Sequence, residues 1–130
     1  MVYRLSVLYP ALRYASMKKG LRYLSQKEKK VIESFARDLR TQLGDQIISI
    51  RLFGSKTRGD FNEDSDIDVL VLIKRKNERV RKKVAEILTD YLLEYDLPLS
   101  PVLYDLYEYE KNMEVGSFFF KEVEKEGILL

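Results

Sequence analysis

The segment that most restricts the fold is residues 66–73, which read Asp-Ile-Asp-Val-Leu-Val-Leu-Ile. Side chains alternate between the two faces of a strand, so beyond the two acids this strand would be apolar on both faces. A run of this kind is typical of a strand in the interior of a sheet. The segment therefore predicts a central strand, and the remaining elements have to be arranged around it.

A capping box marks the start of the first long helix. Ser25 stands three residues before Glu28, which is the spacing in which each side chain caps the backbone of the other. Apolar side chains then recur at every fourth position from residue 31 to residue 43, and Gly44 follows as a C-terminal stop. The pattern predicts an amphipathic helix over 26–43.

Similar patterns predict the rest of the fold. We expect a strand at 47–53, a loop at 54–65 with room for one helical turn, a helix at 77–95, a strand at about 99–104 bracketed by Pro98 and Pro101, and one or two short helices within 106–126. In the last segment Phe118, Phe119 and Val123 are expected to face the core. The predicted class is α+β or mixed α/β, with a small mixed sheet of three to four strands and a single layer of helices packed on it.

Three residue types are missing from the chain, which has no Cys, no His and no Trp. Without Cys or His the sequence excludes a disulfide framework, a zinc finger, a cysteine nucleophile and a Ser-His-Asp triad. A bound metal would take oxygen ligands, as Mg²⁺, Mn²⁺ and Ca²⁺ do. The longest purely apolar run covers only residues 69–73, so we expect a cytoplasmic protein with no membrane span and no secretory signal.

At 130 residues the chain is predicted to hold one domain, at 25–130, preceded by a basic, tyrosine-rich arm at 1–24. The arm could stack on bases and neutralise phosphates, but we favour packing on the domain or on a second subunit of a homo-oligomer. A second basic run, at 74–83, is interpreted as the solvated face of a helix; contact with an acidic partner or RNA is the alternative.

The chemistry of the chain is concentrated around the central strand. Asp66 and Asp68 are two positions apart in a strand, so their carboxylates project from the same face and repel unless a cation lies between them. Gly54 and Ser55 directly follow the preceding strand, where a glycine lets the backbone approach an anion. The short connection favours antiparallel pairing, which brings both features to one edge. We therefore expect a phosphate cradle beside a divalent-metal site, an arrangement suited to attack on a nucleotide phosphate.

Two rival motifs fit less well. Gly54 and Gly59 have the spacing of a P-loop, but Asp60 stands where that motif requires a lysine. Asp64, Asp66 and Asp68 resemble the opening of an EF-hand loop, but Val69 replaces the glycine that such a loop needs. A purely structural alternative remains, in which the acids cap the strand and pair with the nearby basic run.

The residues that carry this chemistry resemble a known family. Gly54-Ser55-x-x-Arg58-Gly59, followed by Ser65-Asp66-Ile67-Asp68-Val69, looks like the signature of the minimal nucleotidyltransferases of the DNA polymerase beta-like superfamily. The resemblance covers about residues 26–126 and implies the fold of that superfamily. The run at 118–128 is also similar to the C-terminal ending of antitoxin-type members, of the kind called MntA.

The resemblance implies roles for the matching positions. Asp66 and Asp68 would be catalytic and hold Mg²⁺ or Mn²⁺ against the triphosphate, and Gly54 and Ser55 would seat its β- and γ-phosphates, with Ser55 counted among the catalytic residues. Arg58, assisted by Lys56, would bind the nucleotide by countering the phosphate charge. The superfamily usually has a third carboxylate on the following strand, where this sequence places Ser100 or Pro101.

The resemblance also implies a reaction and a partner. The chain would transfer AMP from ATP, or another nucleoside monophosphate, to a hydroxyl. The expected acceptor is a tyrosine of a HEPN-domain toxin that the chain neutralises as an antitoxin. Because a third carboxylate is not evident, the first alternative is a binding module that neutralises its partner by contact. The second alternative is a nucleotidyltransferase acting on a small molecule or RNA.

Overall fold

The computed structural model describes residues 21–60 and 65–130 of the chain. The helices are α1 (Gln26–Leu43), α2 (Ser55–Arg58), α3 (Glu78–Tyr95), α4 (Leu106–Glu114) and α5 (Phe118–Glu126), and the strands are β1 (Ile47–Phe53), β2 (Ile67–Ile73), β3 (Leu99–Asp105) and β4 (Ile128–Leu129). Short 3₁₀ turns at Leu21–Tyr23 and Gly44–Gln46 precede and follow α1. Only the last four residues of the predicted N-terminal arm belong to the described part. The predictions for the rest of the arm lie outside the described residues.

The strands form one mixed sheet in the order β3-β2-β1-β4. β2 lies in its interior, as its apolar sequence predicts, and pairs antiparallel with β1 and parallel with β3. β4, which the sequence analysis did not predict, adds two residues antiparallel to β1. The third strand, predicted at about 99–104, runs from Leu99 to Asp105 and contains Pro101. The predicted fold class, a small mixed sheet with helices packed on it, is confirmed.

The capping box at the start of α1 is formed as predicted. The Ser25 hydroxyl accepts from the Glu28 N–H at 3.0 Å, and the Ser25 N–H donates to a Glu28 carboxylate oxygen at 2.8 Å. These two bonds satisfy backbone donors that the first turn of a helix otherwise leaves unpaired.

Helices cover both faces of the sheet, so the prediction of a single helical layer is wrong. α1 and α3 pack against the odd-numbered residues of β2, and α4 and α5 pack on the other face around Leu72, Tyr109 and Phe120. The physical reason is already visible in β2, since a strand that is apolar on both faces has to be covered on both. Among the described residues, no helix is both long enough and apolar enough to cross a membrane.

A buried ion pair fixes α5 to the sheet. Arg51, on β1, has no exposed surface and donates to the Glu124 carboxylate of α5 at 2.7 Å. Tyr109 of α4 donates to the same carboxylate oxygen. Burial and this bond raise the pKa of Tyr109 well above its usual value. One acid therefore holds both helices of the second layer against the strand that leads into the Gly-Ser turn.

The side chains of α5 are oriented differently from the prediction. Val123 is buried as expected, and its buried neighbour three positions earlier is Phe120. Phe118 is 76% exposed and Phe119 lies at the edge of the core, so the expectation that both face inward is wrong. The helix begins at Phe118 after Ser117, which places residues 120 and 123 on the inner face and turns residue 118 to solvent.

Candidate active site

Two glycines flank the tight turn that follows β1. Gly54 has a φ of +82° and Gly59 a φ of +84°, and the single helical turn α2 lies between them. The Thr57 hydroxyl donates to the Gly54 carbonyl at 2.6 Å, and the Gly59 N–H donates to the Ser55 carbonyl at 2.9 Å. The one helical turn expected in this loop is therefore present, and Ser55 is its first residue.

Gly54 lies directly against Asp68. The register of β1 and β2 pairs Phe53 with Asp68, so the glycine that follows Phe53 reaches the carboxylate on the neighbouring strand. A Cβ atom placed on Gly54 would come closer than 3.0 Å to the Asp68 Oδ2 atom. A side chain at position 54 would therefore displace the Asp68 carboxylate, and the positive φ would strain the backbone. The structure thus joins the Gly-Ser turn to the acidic strand, as the antiparallel pairing predicts.

Asp66 and Asp68 share the face of the sheet that carries α4 and α5. β2 begins at Ile67, so Asp66 stands immediately before the strand and is exposed, while Asp68 is half-buried. Burial, followed by the negative charge of Asp66, raises the pKa of Asp68, and the positive charge of Arg58 partly offsets this. The two carboxylates are therefore close enough to destabilise each other's charge, which a cation between them would relieve.

The residues present fit a hard divalent cation. Asp66 and Asp68 offer carboxylate oxygens on one face, and the missing side chain at Gly54 keeps the space beside Asp68 open. Ser100 is the partner of Asp68 in the parallel register with β3, so a hydroxyl and not a carboxylate neighbours Asp68 on that strand. Within residues 21–60 and 65–130, no third His, Cys, Asp or Glu side chain joins Asp66 and Asp68 in a group that could hold a metal, so the candidate site offers two carboxylates.

The two cations of α2 have different surroundings. The Lys56 ammonium is buried and pairs with the Glu28 carboxylate at 3.0 Å, so it is already engaged on the α1 side of the turn. Arg58 is 44% exposed and pairs with Asp60 at 3.0 Å and with Glu126 at 2.8 Å. The hydrogen bonds that Arg58 donates to these two acids raise its pKa further above its already high value. Of the two cations predicted to counter phosphate charge, Arg58 is the more accessible.

Three residues that contact this turn were not identified from the sequence. Glu28 was interpreted only as a helix cap, but its second carboxylate oxygen binds Lys56. Glu126 binds Arg58 from the end of α5. The ring of Tyr23 lies so close to Gly59 that a Cβ there would approach it at 2.6 Å. These contacts join positions far apart in the chain, so no local spacing pattern in the sequence predicts them.

Residues 29–130 match the family model described as the nucleotidyltransferase domain. The chain belongs to the nucleotidyltransferase family. The resemblance seen in Gly54-Ser55 and Asp66-Ile67-Asp68 is thereby confirmed at the level of a minimal nucleotidyltransferase, and the chain is a transferase.

Curated relatives come from an archaeon. A protein of Methanocaldococcus jannaschii named "Putative protein adenylyltransferase" is 35% identical over 99 residues, which cover 75% of this chain and 93% of that protein. Another protein of the same organism, with the same descriptive name, is 31% identical over 105 residues, covering 79% of this chain and 97% of its own. A crystal structure described as a putative nucleotidyltransferase from Sulfolobus solfataricus aligns with 16% identity and a TM-score of 0.49, over 88% of this chain and 85% of that one.

Proposed function

We propose that this nucleotidyltransferase transfers AMP from ATP to a hydroxyl of a protein. The contact between Gly54 and Asp68 carries the proposal, because it places a bend that can approach phosphates directly beside a carboxylate that can hold a cation. The names of the archaeal relatives support a protein acceptor and an adenylyl group. Another nucleoside monophosphate is the alternative at the same site, because all nucleoside triphosphates carry the same phosphates.

Each residue of the site has a distinct task in this proposal. Gly54 and Ser55 bind the β- and γ-phosphates, and Arg58 exchanges its carboxylate partners for phosphate oxygens, which it binds with comparable geometry. Asp66 and Asp68 hold Mg²⁺ or Mn²⁺, which when bound neutralises phosphate charge. Catalysis by these side chains consists of orienting the triphosphate and stabilising its charge. Lys56 acts through its bond to Glu28, which fixes the turn.

The acceptor we propose is a tyrosine of a HEPN-domain partner. The support is the resemblance of residues 118–128 to antitoxin-type nucleotidyltransferases. Such an acceptor requires the partner's tyrosine to reach the half-buried Asp68 carboxylate at the start of β2. The proposal therefore predicts labelling of one tyrosine on the partner and no labelling of its phenylalanine variant.

The test is transfer of label from ATP to the co-expressed partner. We expect ATP labelled at the α-phosphate to label the partner and ATP labelled at the γ-phosphate to leave it unlabelled, because the leaving group is pyrophosphate. Asp68→Asn should abolish labelling while the protein stays folded or becomes more stable, since the carboxylate next to Asp66 is removed. Undiminished labelling by Asp68→Asn would overturn the assignment.

The chain offers a matched pair of glycines for a second test. Gly54→Ala adds a side chain that collides with Asp68, whereas Gly44→Ala adds one with nothing within 4 Å, and both positions have positive φ. Each substitution is expected to cost about 1–3 kcal/mol of stability from the backbone alone, because both glycines have backbone angles that residues with a side chain rarely adopt. Labelling should be lost in Gly54→Ala and kept in Gly44→Ala. Equal labelling by the two variants would show that the contact with Asp68 is irrelevant to transfer.

Ser100 favours one further candidate function. Because a serine rather than a carboxylate pairs with Asp68 across β2 and β3, the chain could neutralise its partner by contact alone. In that case ATP would bind without labelling, and Asp68→Asn would still neutralise the partner. Loss of neutralisation in Asp68→Asn would exclude this alternative.

A further inference from the structure

A cavity of about 230 Å³ lies between the start of α5 and the Gly-Ser turn. Its apolar walls are the side chains of Phe53, Phe118, Phe119 and Val123. Gly54 and Arg58 also line it, and both belong to the turn that we propose binds the phosphates. The cavity and the phosphate turn are therefore two parts of one continuous surface.

The walls of the cavity suit a planar ring. Phe53 and Phe119 meet edge to face with ring centroids 5.4 Å apart, and Phe119 makes a similar contact with the buried Phe120, so this wall is fixed by packing. Phe118, in contrast, is 76% exposed and faces no ring partner among the described aromatic contacts. The volume lies below the roughly 300 Å³ at which pockets for whole drug-sized ligands begin, so it suits one ring system rather than a whole nucleotide.

We propose that this cavity binds the nucleobase of the triphosphate whose phosphates lie at residues 54–58. The inference rests on the proposed function, because it assumes that the turn holds phosphates. A base joined to those phosphates has to lie next to the turn, and this cavity shares two residues with it. Aromatic side chains bind bases by stacking, with a contribution of about 1–3 kcal/mol for each base.

The rim of the cavity also favours some bases over others. Glu122 lines it and is half-buried, so its carboxylate can accept a hydrogen bond but cannot donate one when ionised. Adenine carries an exocyclic amino group that donates, whereas uracil presents a carbonyl oxygen at the corresponding edge. We therefore expect ATP to bind more tightly than UTP, and Glu122→Leu to reduce that preference.

The test compares ATP with inorganic tripolyphosphate, both in the presence of Mg²⁺, by calorimetry. Phe118→Ala should weaken ATP binding about tenfold and leave tripolyphosphate binding unchanged, because only ATP has a base to stack. Phe118→Trp should retain ATP binding. Leu93→Ala removes an equally exposed apolar side chain from α3, outside the cavity, and should change neither affinity.

The outcomes separate this inference from the proposed function. If wild-type protein binds neither compound, the proposed phosphate site fails and the base cavity fails with it. If it binds tripolyphosphate as tightly as ATP, or if Phe118→Ala leaves ATP affinity unchanged, only the base cavity is overturned. Should Phe118→Ala keep its ATP affinity but lose labelling of the partner, the cavity binds an aromatic side chain of the acceptor and not the base, which also overturns the inference.

Discussion

Lys56 and Arg58 stand two positions apart on the same helical turn, and both form ion pairs, but on opposite sides of it. The side chains of Lys56 and Glu28 are only 8% and 15% exposed. The side chains of Arg58 and its partner Asp60 are 44% and 60% exposed, and Glu126 lies between these extremes at 24%. A buried pair is costly to break because it leaves a desolvated charge behind, whereas an exposed pair exchanges its partner at little cost. The comparison shows that one cation fixes the turn and that the other is available for an anion.

The largest expected effect is on stability, from breaking the buried pair. Lys56→Met should lower the free energy of unfolding by about 3 kcal/mol, because Glu28 is left in a poorly solvated position. Arg58→Met, the same substitution two residues on, should lower it by less than about 1 kcal/mol. Urea denaturation of both variants measures the two values. Equal losses would remove the distinction between the two cations.

Transfer activity should show the opposite ranking. Arg58→Met is expected to reduce the rate of AMP transfer about 30-fold, because a charge-assisted bond to phosphate is lost. Its affinities for ATP and for tripolyphosphate should fall together, unlike those of Phe118→Ala. The measurements are initial labelling rates and calorimetry at a temperature where the variant is folded. A wild-type rate in Arg58→Met would exclude the guanidinium from the site.

The smallest effect should appear in the pH dependence of stability. Burial alone would raise the pKa of Glu28, but the hydrogen bonds from Ser25 and Lys56 together hold this pKa below its ordinary value. The ionised carboxylate therefore stabilises the fold fully above the unfolded-state pKa, about 4.3, and this contribution is lost as the pH falls through the lower folded-state pKa. Glu28→Gln keeps a residue that can complete the capping box and removes only the charge.

We accordingly expect the stability difference between wild type and Glu28→Gln to be present at pH 7 and to shrink at pH 3. Asp45→Asn is a suitable control, because Asp45 is almost fully exposed and lies 3.8 Å from Lys74. That variant should match wild type at both pH values. A difference for Glu28→Gln that is constant with pH would contradict the role assigned to the buried pair.

Those features of the fold that depend on local spacing could be predicted from the sequence. The capping box at Ser25 and the periodicity of 26–43 predict α1, and the short connector predicts that β1 and β2 are antiparallel. The adjacency of Gly54 and Asp68 follows from that pairing. These features involve residues that are near in sequence or joined by one turn, where propensity and spacing act directly.

Features that depend on the packing of distant segments could not be predicted. The second helical layer, the outward orientation of Phe118 and the pairing of Lys56 with Glu28 all depend on which segments meet in three dimensions. Glu28 had one sufficient explanation as a helix cap, so the sequence gives no reason to expect a second contact. The short strand β4 lacks the length that makes a strand recognisable by alternation.

The edge of the sheet formed by β3 bears on how the proposed protein acceptor would approach the site. Ile67 donates to the Pro98 carbonyl at 2.8 Å. In a parallel pair of strands this bond means that the even-numbered residues of β3 bond to β2, so the N–H groups of its odd-numbered residues point away from β2. Along that edge Pro101 has no N–H, while Leu99 donates to Leu97 and Asp105 to Glu108. Leu103 is left as the single outward N–H donor of the strand, so a visiting strand would find few backbone donors along this edge. We therefore expect the proposed acceptor, if it approaches past β3, to be recognised mainly through side chains and shape.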